Sequence, residues 1–166
     1  MVIVLFLCRL FLHFMLIPRS VFMFGYSPQG YEALSTNRQR LLDALNAVAI
    51  TEVTIRYVGG GDEGDISEVI VQPESSLPQL NTQRLVYCYA RGEYREGACY
   101  YFLEDKEVLL DDALRDFVFT WVDSHHSGWE INEGGSGVMT IHVAEDDFLL
   151  EHSDYYTESL DFAYSL

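Results

Sequence analysis

Apolar residues recur along this chain with two different periods, and the switches between them outline a fold. Leu34, Leu41, Leu42, Leu45 and Val48 fall at helical spacing and Ser35 offers an N-cap, which predicts a first helix ending near Ala49. Thr51 to Val58 then alternates, with Val53, Ile55 and Tyr57 set against Glu52, Thr54 and Arg56, as in a half-buried strand. Gly59 to Gly64 reads as a turn and Ile66 to Val71 as the returning strand, while Pro73 to Asn81, with Ser75, Ser76 and Pro78, reads as a loop. Leu85 to Ala90 and Ala98 to Leu103 are aromatic-rich strands joined by a charged turn, Arg91 to Gly97. The helical period returns through Leu110, Leu114, Phe117, Val118, Trp121 and Val122, predicting a second helix from about Asp105 to His125 that stops before Gly128. Strands Gly137 to Ala144 and Phe148 to His152 follow, turning at Glu145, Asp146 and Asp147. Strands on both sides of a helix imply a single α+β domain, an antiparallel sheet packed by two main helices.

The first residues do not share this pattern. Met1 to Phe24 is mostly Val, Ile, Leu, Phe and Met, broken by Arg9, His13, Pro18 and Arg19. A secretory signal carries its positive charge ahead of the apolar stretch and small residues at a cleavage site, and neither is present. A membrane helix wants about 20 apolar residues, whereas the longest unbroken run is Met1 to Cys8. Residues 1–22 are read as an upstream extension with Met23 as the natural start, as an anchor, or as a structural element. The acidic domain is expected over residues 23–166, in the cytoplasm unless residues 1–22 attach it to a membrane. Three cysteines without a C-x-x-C pair, Cys8, Cys88 and Cys99, suit buried thiols of a reducing compartment and argue against cysteine-based zinc binding. Cys88 and Cys99 flank the predicted hairpin and could face each other across it.

Charge narrows the partners. All 26 acidic residues lie at or after Glu32, and only 8 of the 10 basic residues accompany them. From Glu104 onward, 16 acidic residues face only Lys106 and Arg115. Such a surface repels nucleic acid and anionic membranes and attracts basic proteins or cations. The 14% of aromatic residues argues against disorder as the cause.

Two stretches carry a family resemblance. Val53 to Glu68 (VTIRYVGGGDEGDISE) and the block from Asp116 to Glu158, centred on HHSGWEINEGGSGVMTIHV, resemble an uncharacterised family of small acidic bacterial proteins associated with plasmids, phages and other mobile elements. The positions carrying it are His126, Gly128, Trp129, Glu130, Asn132, Gly134, Gly137, His152, Tyr156 and Thr157. The resemblance implies a shared fold unit and brings no activity.

Candidate chemistry is sparse. Asp62 and Asp65 sit in the glycine turn and could serve a cation, but the turn lacks the register of a calcium loop, and positive-φ glycines in a hairpin explain it more simply. Four of the five histidines, His125, His126, His142 and His152, fall within 28 residues, and His126 with Glu130 and His152 is a weak metal candidate without a recognised motif. Ser136 in Gly134–Gly137 does not make a nucleophile elbow, because a strand follows where a helix is required. Trp129 reads as a core cap or a partner anchor.

No cofactor is implied, and an enzyme is the less favoured class. The favoured reading is a non-enzymatic interaction protein whose carboxylates imitate a phosphate backbone and occupy a basic, nucleic-acid-binding partner. Trp129, Glu130, Glu133, Glu145, Asp146, Asp147, Glu151, Asp154, Tyr155, Tyr156 and Glu158 are the expected contact residues. The alternative is a metal-binding module or metal-dependent enzyme built from Asp62, Asp65 and the C-terminal histidines.

Overall fold

The computed structural model describes residues 27–166, so the expectations for residues 1–22 lie outside the described residues. Helix α1 (Pro28–Ala47) is followed by strands β1 (Glu52–Gly60) and β2 (Glu63–Gln72), a 3-10 segment (Glu74–Asn81), β3 (Arg84–Arg95), β4 (Ala98–Leu109), helix α2 (Leu110–His125), β5 (Gly135–His142) and β6 (Asp147–Asp154). A four-stranded antiparallel sheet has the order β2-β1-β5-β6, and β3 and β4 form a separate two-stranded hairpin. This is the α+β class expected.

The register explains the core. Val53 pairs with Ile141 and Ile55 with Met139 across β1 and β5, and Ile141 and Met139 meet Phe148 and Leu150 of β6. These side chains share one face of the sheet, because alternate residues of a strand point the same way. Helix α2 covers that face with Ala113, Leu114, Phe117, Val118 and Val122, and α1 adds Leu41 and Leu45, all buried. Each fully buried aliphatic side chain contributes roughly 1.5–3 kcal/mol. Asp111 and Asp112 in the first turn of α2 and His125 in its last complement the helix dipole.

Several boundaries differ from the sequence expectation. Helix α1 starts at Pro28 rather than at Ser35: Ser27 is the N-cap, its hydroxyl accepting from the Gly30 N–H at 3.0 Å, and Pro28 fits the first turn because its missing N–H needs no partner there. The apolar spacing begins later because the first turns bury only the small residues Gly30 and Ala33. Residues 105–109 belong to β4, not to α2, since they pair with β3 from Arg84 to Cys88. The hairpin is accordingly longer than expected and turns tightly at Glu96 and Gly97, both at positive φ. Cys88 faces Asp105 and Cys99 faces Tyr94, so the two thiols do not meet, and both are free. Residues 74–81 form a 3-10 segment where a loop was expected.

Candidate functional site

The inner face of edge strand β6 runs Phe148, Leu150, His152, Asp154. The first two pack in the core, and the last two carry the row on into polar chemistry at the end of the sheet where α2 terminates.

Tyr57, Gly137 and His152 lie in register across three strands. Because the middle position has no side chain, the Tyr57 phenol crosses it. Its oxygen lies 2.8 Å from His152 Nδ1, with the two rings stacked 5.7 Å apart. A Cβ on Gly137 would overlap the Tyr57 hydroxyl and the Glu151 carbonyl. In the β1–β2 hairpin, Gly59 and Gly64 clear the space for Trp129, whose ring would stand 2.6 and 2.5 Å from a Cβ at either position. Trp129 meets Tyr57 edge-on at 5.2 Å, stacks on Phe119 at 5.7 Å, and donates its indole N–H to Asp123 at 2.9 Å. Desolvation holds the Asp123 carboxyl above the usual range, but the residue as a whole remains exposed, so the energetic consequence is small.

His126 closes the site from the other side. It is the C-cap of α2, and its ring centroid lies 4.1 Å from that of His152. Asp154 joins the two imidazoles: His152 Nε2 is 3.0 Å from one carboxylate oxygen, and His126 Nδ1 is 3.2 Å from the other. The hydrogen bond to His152, then that to His126, holds the Asp154 carboxyl below the usual range. Burial, followed by the Asp154 charge, pushes the Tyr57 phenol up to about 12. The His152 side chain is 2% exposed and that of Asp154 is 64% exposed, so the cluster is anchored inside and opens outward.

The loop between α2 and β5 is fastened on both sides. Gly61 and Asp62 at the β1–β2 turn donate their N–H groups to the carbonyls of Asn132 and Glu130. Gly134, at φ 73°, passes so close to the Gly59 carbonyl that a Cβ there would overlap it. Past β6, the Tyr155 N–H donates to the Gly134 carbonyl at 2.8 Å, and the Thr157 hydroxyl donates to Glu133 at 2.7 Å, which holds the Glu133 carboxyl below its usual range.

The sequence-derived candidates thus separate into groups. His126 and His152 come together, and Asp154 completes the cluster. Glu130 lies beside Trp129, with one carboxylate oxygen buried and no hydrogen-bond partner among the described residues. Asp62 contributes its backbone N–H, and the Asp65 carboxylate accepts from Ile66 N–H; neither belongs to the histidine cluster. Glu145, Asp146 and Asp147 lie at the far end of β5 and β6, where Arg38 pairs with Asp146 at 2.7 Å. Glu151 faces away from the site on β6, and Tyr155 contacts Ser136 through its hydroxyl at 2.6 Å. Tyr156 and Glu158 lie on an exposed tail. Trp129 is a correction to the contact set: at 5% exposure it is a core residue, because two glycines make a slot for it.

The sequence reasoning missed Tyr57 as a site residue and Asp154 as a partner of the histidines. The signal for Asp154 was its two-residue spacing from His152, which places both on one face of a strand. Tyr57 became visible only through the register.

Two imidazole nitrogens and a carboxylate oxygen within 4.8 Å of one another make a donor set suited to a divalent transition metal. The two nitrogens now meet different oxygens of that carboxylate, His152 Nε2 at 3.0 Å and His126 Nδ1 at 3.2 Å, so each imidazole is already turned toward Asp154. The Tyr57 contact at the other nitrogen of His152 is the kind of second contact that orients a ligating imidazole.

No curated protein matches the chain, and no solved structure matches it. A family model does match, over residues 33–166, a span that holds α2, all six strands and every residue of the cluster. The chain belongs to the family of unknown function DUF6878.

Proposed function

We propose that this protein is a metal-binding module that holds a divalent first-row transition ion through His126, His152 and Asp154. The observation that carries the reading is the convergence of two imidazoles on one carboxylate, at the exposed end of an otherwise apolar row of side chains. Two histidines and one carboxylate leave a coordination position open, the arrangement found where a metal holds water or a ligand rather than only bracing a fold. Tyr57, behind Gly137, fixes the His152 ring: with Nε2 on a metal, Nδ1–H donates to the phenol oxygen, and the phenol can turn its own proton toward the Glu151 carbonyl, 3.5 Å away.

The test is isothermal titration of zinc and of cobalt into metal-stripped protein, alongside His126→Ala and Asp154→Asn, with thermal melts to confirm that each variant folds. One ion per chain, with binding weakened at least tenfold in both folded variants, supports the reading. Absence of binding, or equal binding by all three proteins, overturns it.

A second reading rests on the acidic half of the molecule. Among the described residues, Arg or Lys ion pairs to the acids from Asp111 onward reach Asp111 and Asp146. The remainder present a strongly negative surface that steers a basic protein toward it. In this reading the chain is a cytoplasmic acidic interaction protein of a bacterial mobile element that occupies the nucleic-acid groove of a host defence protein. No helix among the described residues is long and apolar enough to cross a membrane. Recovery of a basic nucleic-acid-binding protein from the native host at low salt, and its release at high salt, supports it. Recovery of no such protein counts against it.

A further inference from the structure

Beside the start of β6, helices α1 and α2 leave a cavity of about 350 Å³ between them. Its walls are aromatic: Phe117 and Trp121 of α2, Phe148 of β6, and Tyr31 of α1, whose side chain is half exposed. The Phe117 ring meets Trp121 at 5.9 Å and Phe148 at 5.6 Å, both edge-on, so these three rings brace one another. Size and lining are those of a small-molecule site.

The polar groups around this cavity favour a positive charge. Arg38 lines it and lies 5.0 Å over the Phe148 ring, but its guanidinium is bound to both the carboxylate and the carbonyl of Asp146. The same turn carries Glu145 and Asp147, which have no ion pair among the described residues, and Asp147 lines the cavity. On α2 the Ser124 hydroxyl donates to the Trp121 carbonyl at 2.6 Å. His125 Nδ1 lies 2.8 Å from that hydroxyl and 3.1 Å from that carbonyl, so Nδ1 carries a proton and donates. In the neutral ring Nε2 is then left as an acceptor. The cavity thus offers an unpaired carboxylate, an imidazole acceptor and aromatic faces, on a chain of formal charge −16. Aromatic faces attract cations, and the field of the whole chain draws cations in and turns anions away.

We propose that this cavity binds a small organic amine in its protonated form, with the apolar body against the aromatic walls and the ammonium on the Asp147 carboxylate. The inference does not depend on the metal reading: Phe148 and Asp154 stand at opposite ends of the inner face of β6.

The test is calorimetric titration of the full, metal-stripped chain at about pH 8, where alkylamines are charged. Phenethylamine is compared with its neutral isostere phenethyl alcohol and with the anion hydrocinnamate. The expected result is one phenethylamine per chain, bound roughly tenfold more tightly than the alcohol. The indole resonance of Trp121 should shift on binding while that of Trp129 stays in place. Asp147→Asn should bring the amine down to the affinity of the alcohol, and Tyr31→Ala should weaken both. Each of these side chains is exposed, and thermal melts confirm that the variants fold. Equal binding of amine and alcohol, tighter binding of hydrocinnamate, a preference that survives Asp147→Asn, or binding of none of the three overturns the inference.

Discussion

The molecule ends its two β-structures on opposite terms. At the polar end of the four-stranded sheet, Gly59, Gly64 and Gly137 remove side chains so that Trp129, Tyr57 and His152 fit against each other. Along the β3–β4 hairpin, by contrast, Tyr94, Tyr100 and Phe102 stand with aromatic surface in solvent. Among the described residues, the first region packs its aromatic and imidazole rings against one another and reaches solvent at the carboxylate of Asp154. Internal crowding around a few polar atoms marks a place that must hold its geometry, whereas exposed aromatic side chains on a hairpin place no such demand on their neighbours.

The sharpest way to separate the two regions is to remove packing from the first. Trp129→Ala should cost about 3–5 kcal/mol in denaturant unfolding, because it empties a slot lined by Tyr57, Phe119 and two glycines. A loss below about 1 kcal/mol would mean that the slot is not a packed core. Gly137→Ala should cost about 1–3 kcal/mol, since the added methyl displaces the Tyr57 phenol, and it should weaken zinc binding in the same protein. Tyr57→Phe should cost about 1 kcal/mol in stability and weaken zinc binding by roughly tenfold, through loss of the contact that orients His152. The smallest effect belongs to the hairpin: Tyr100→Ser should change stability by no more than about 0.5 kcal/mol, because the side chain is exposed. A large effect there would show that the hairpin is already packed.

The sequence held the fold class and the alternation of β1, because Val53, Ile55 and Tyr57 declare their face without help. It was less explicit where tertiary pairing overrides local pattern. Residues 105–109, which begin with the charged Asp105, Lys106 and Glu107, could extend a helix or a strand, and pairing with β3 decides for the strand. The site was half legible. Clustering of His126 and His152 in the sequence was a usable hint, and the two structural neighbours came together. Gly137 gave no sign that its role was to let a tyrosine through, since that depends on which residues stand opposite it on β1 and β6. Trp129 next to Glu130 suited the core more readily than a surface anchor, and the glycines of a distant hairpin make the slot that buries it.

The most direct measurement is anomalous scattering from a crystal of the protein grown with zinc. The account predicts one peak bonded to His126, His152 and Asp154, at about 2.0–2.2 Å from each ligand atom, with the Tyr57 hydroxyl still on His152 Nδ1. A peak placed elsewhere, or a zinc-free cluster with the present hydrogen bonds intact at saturating zinc, would contradict it.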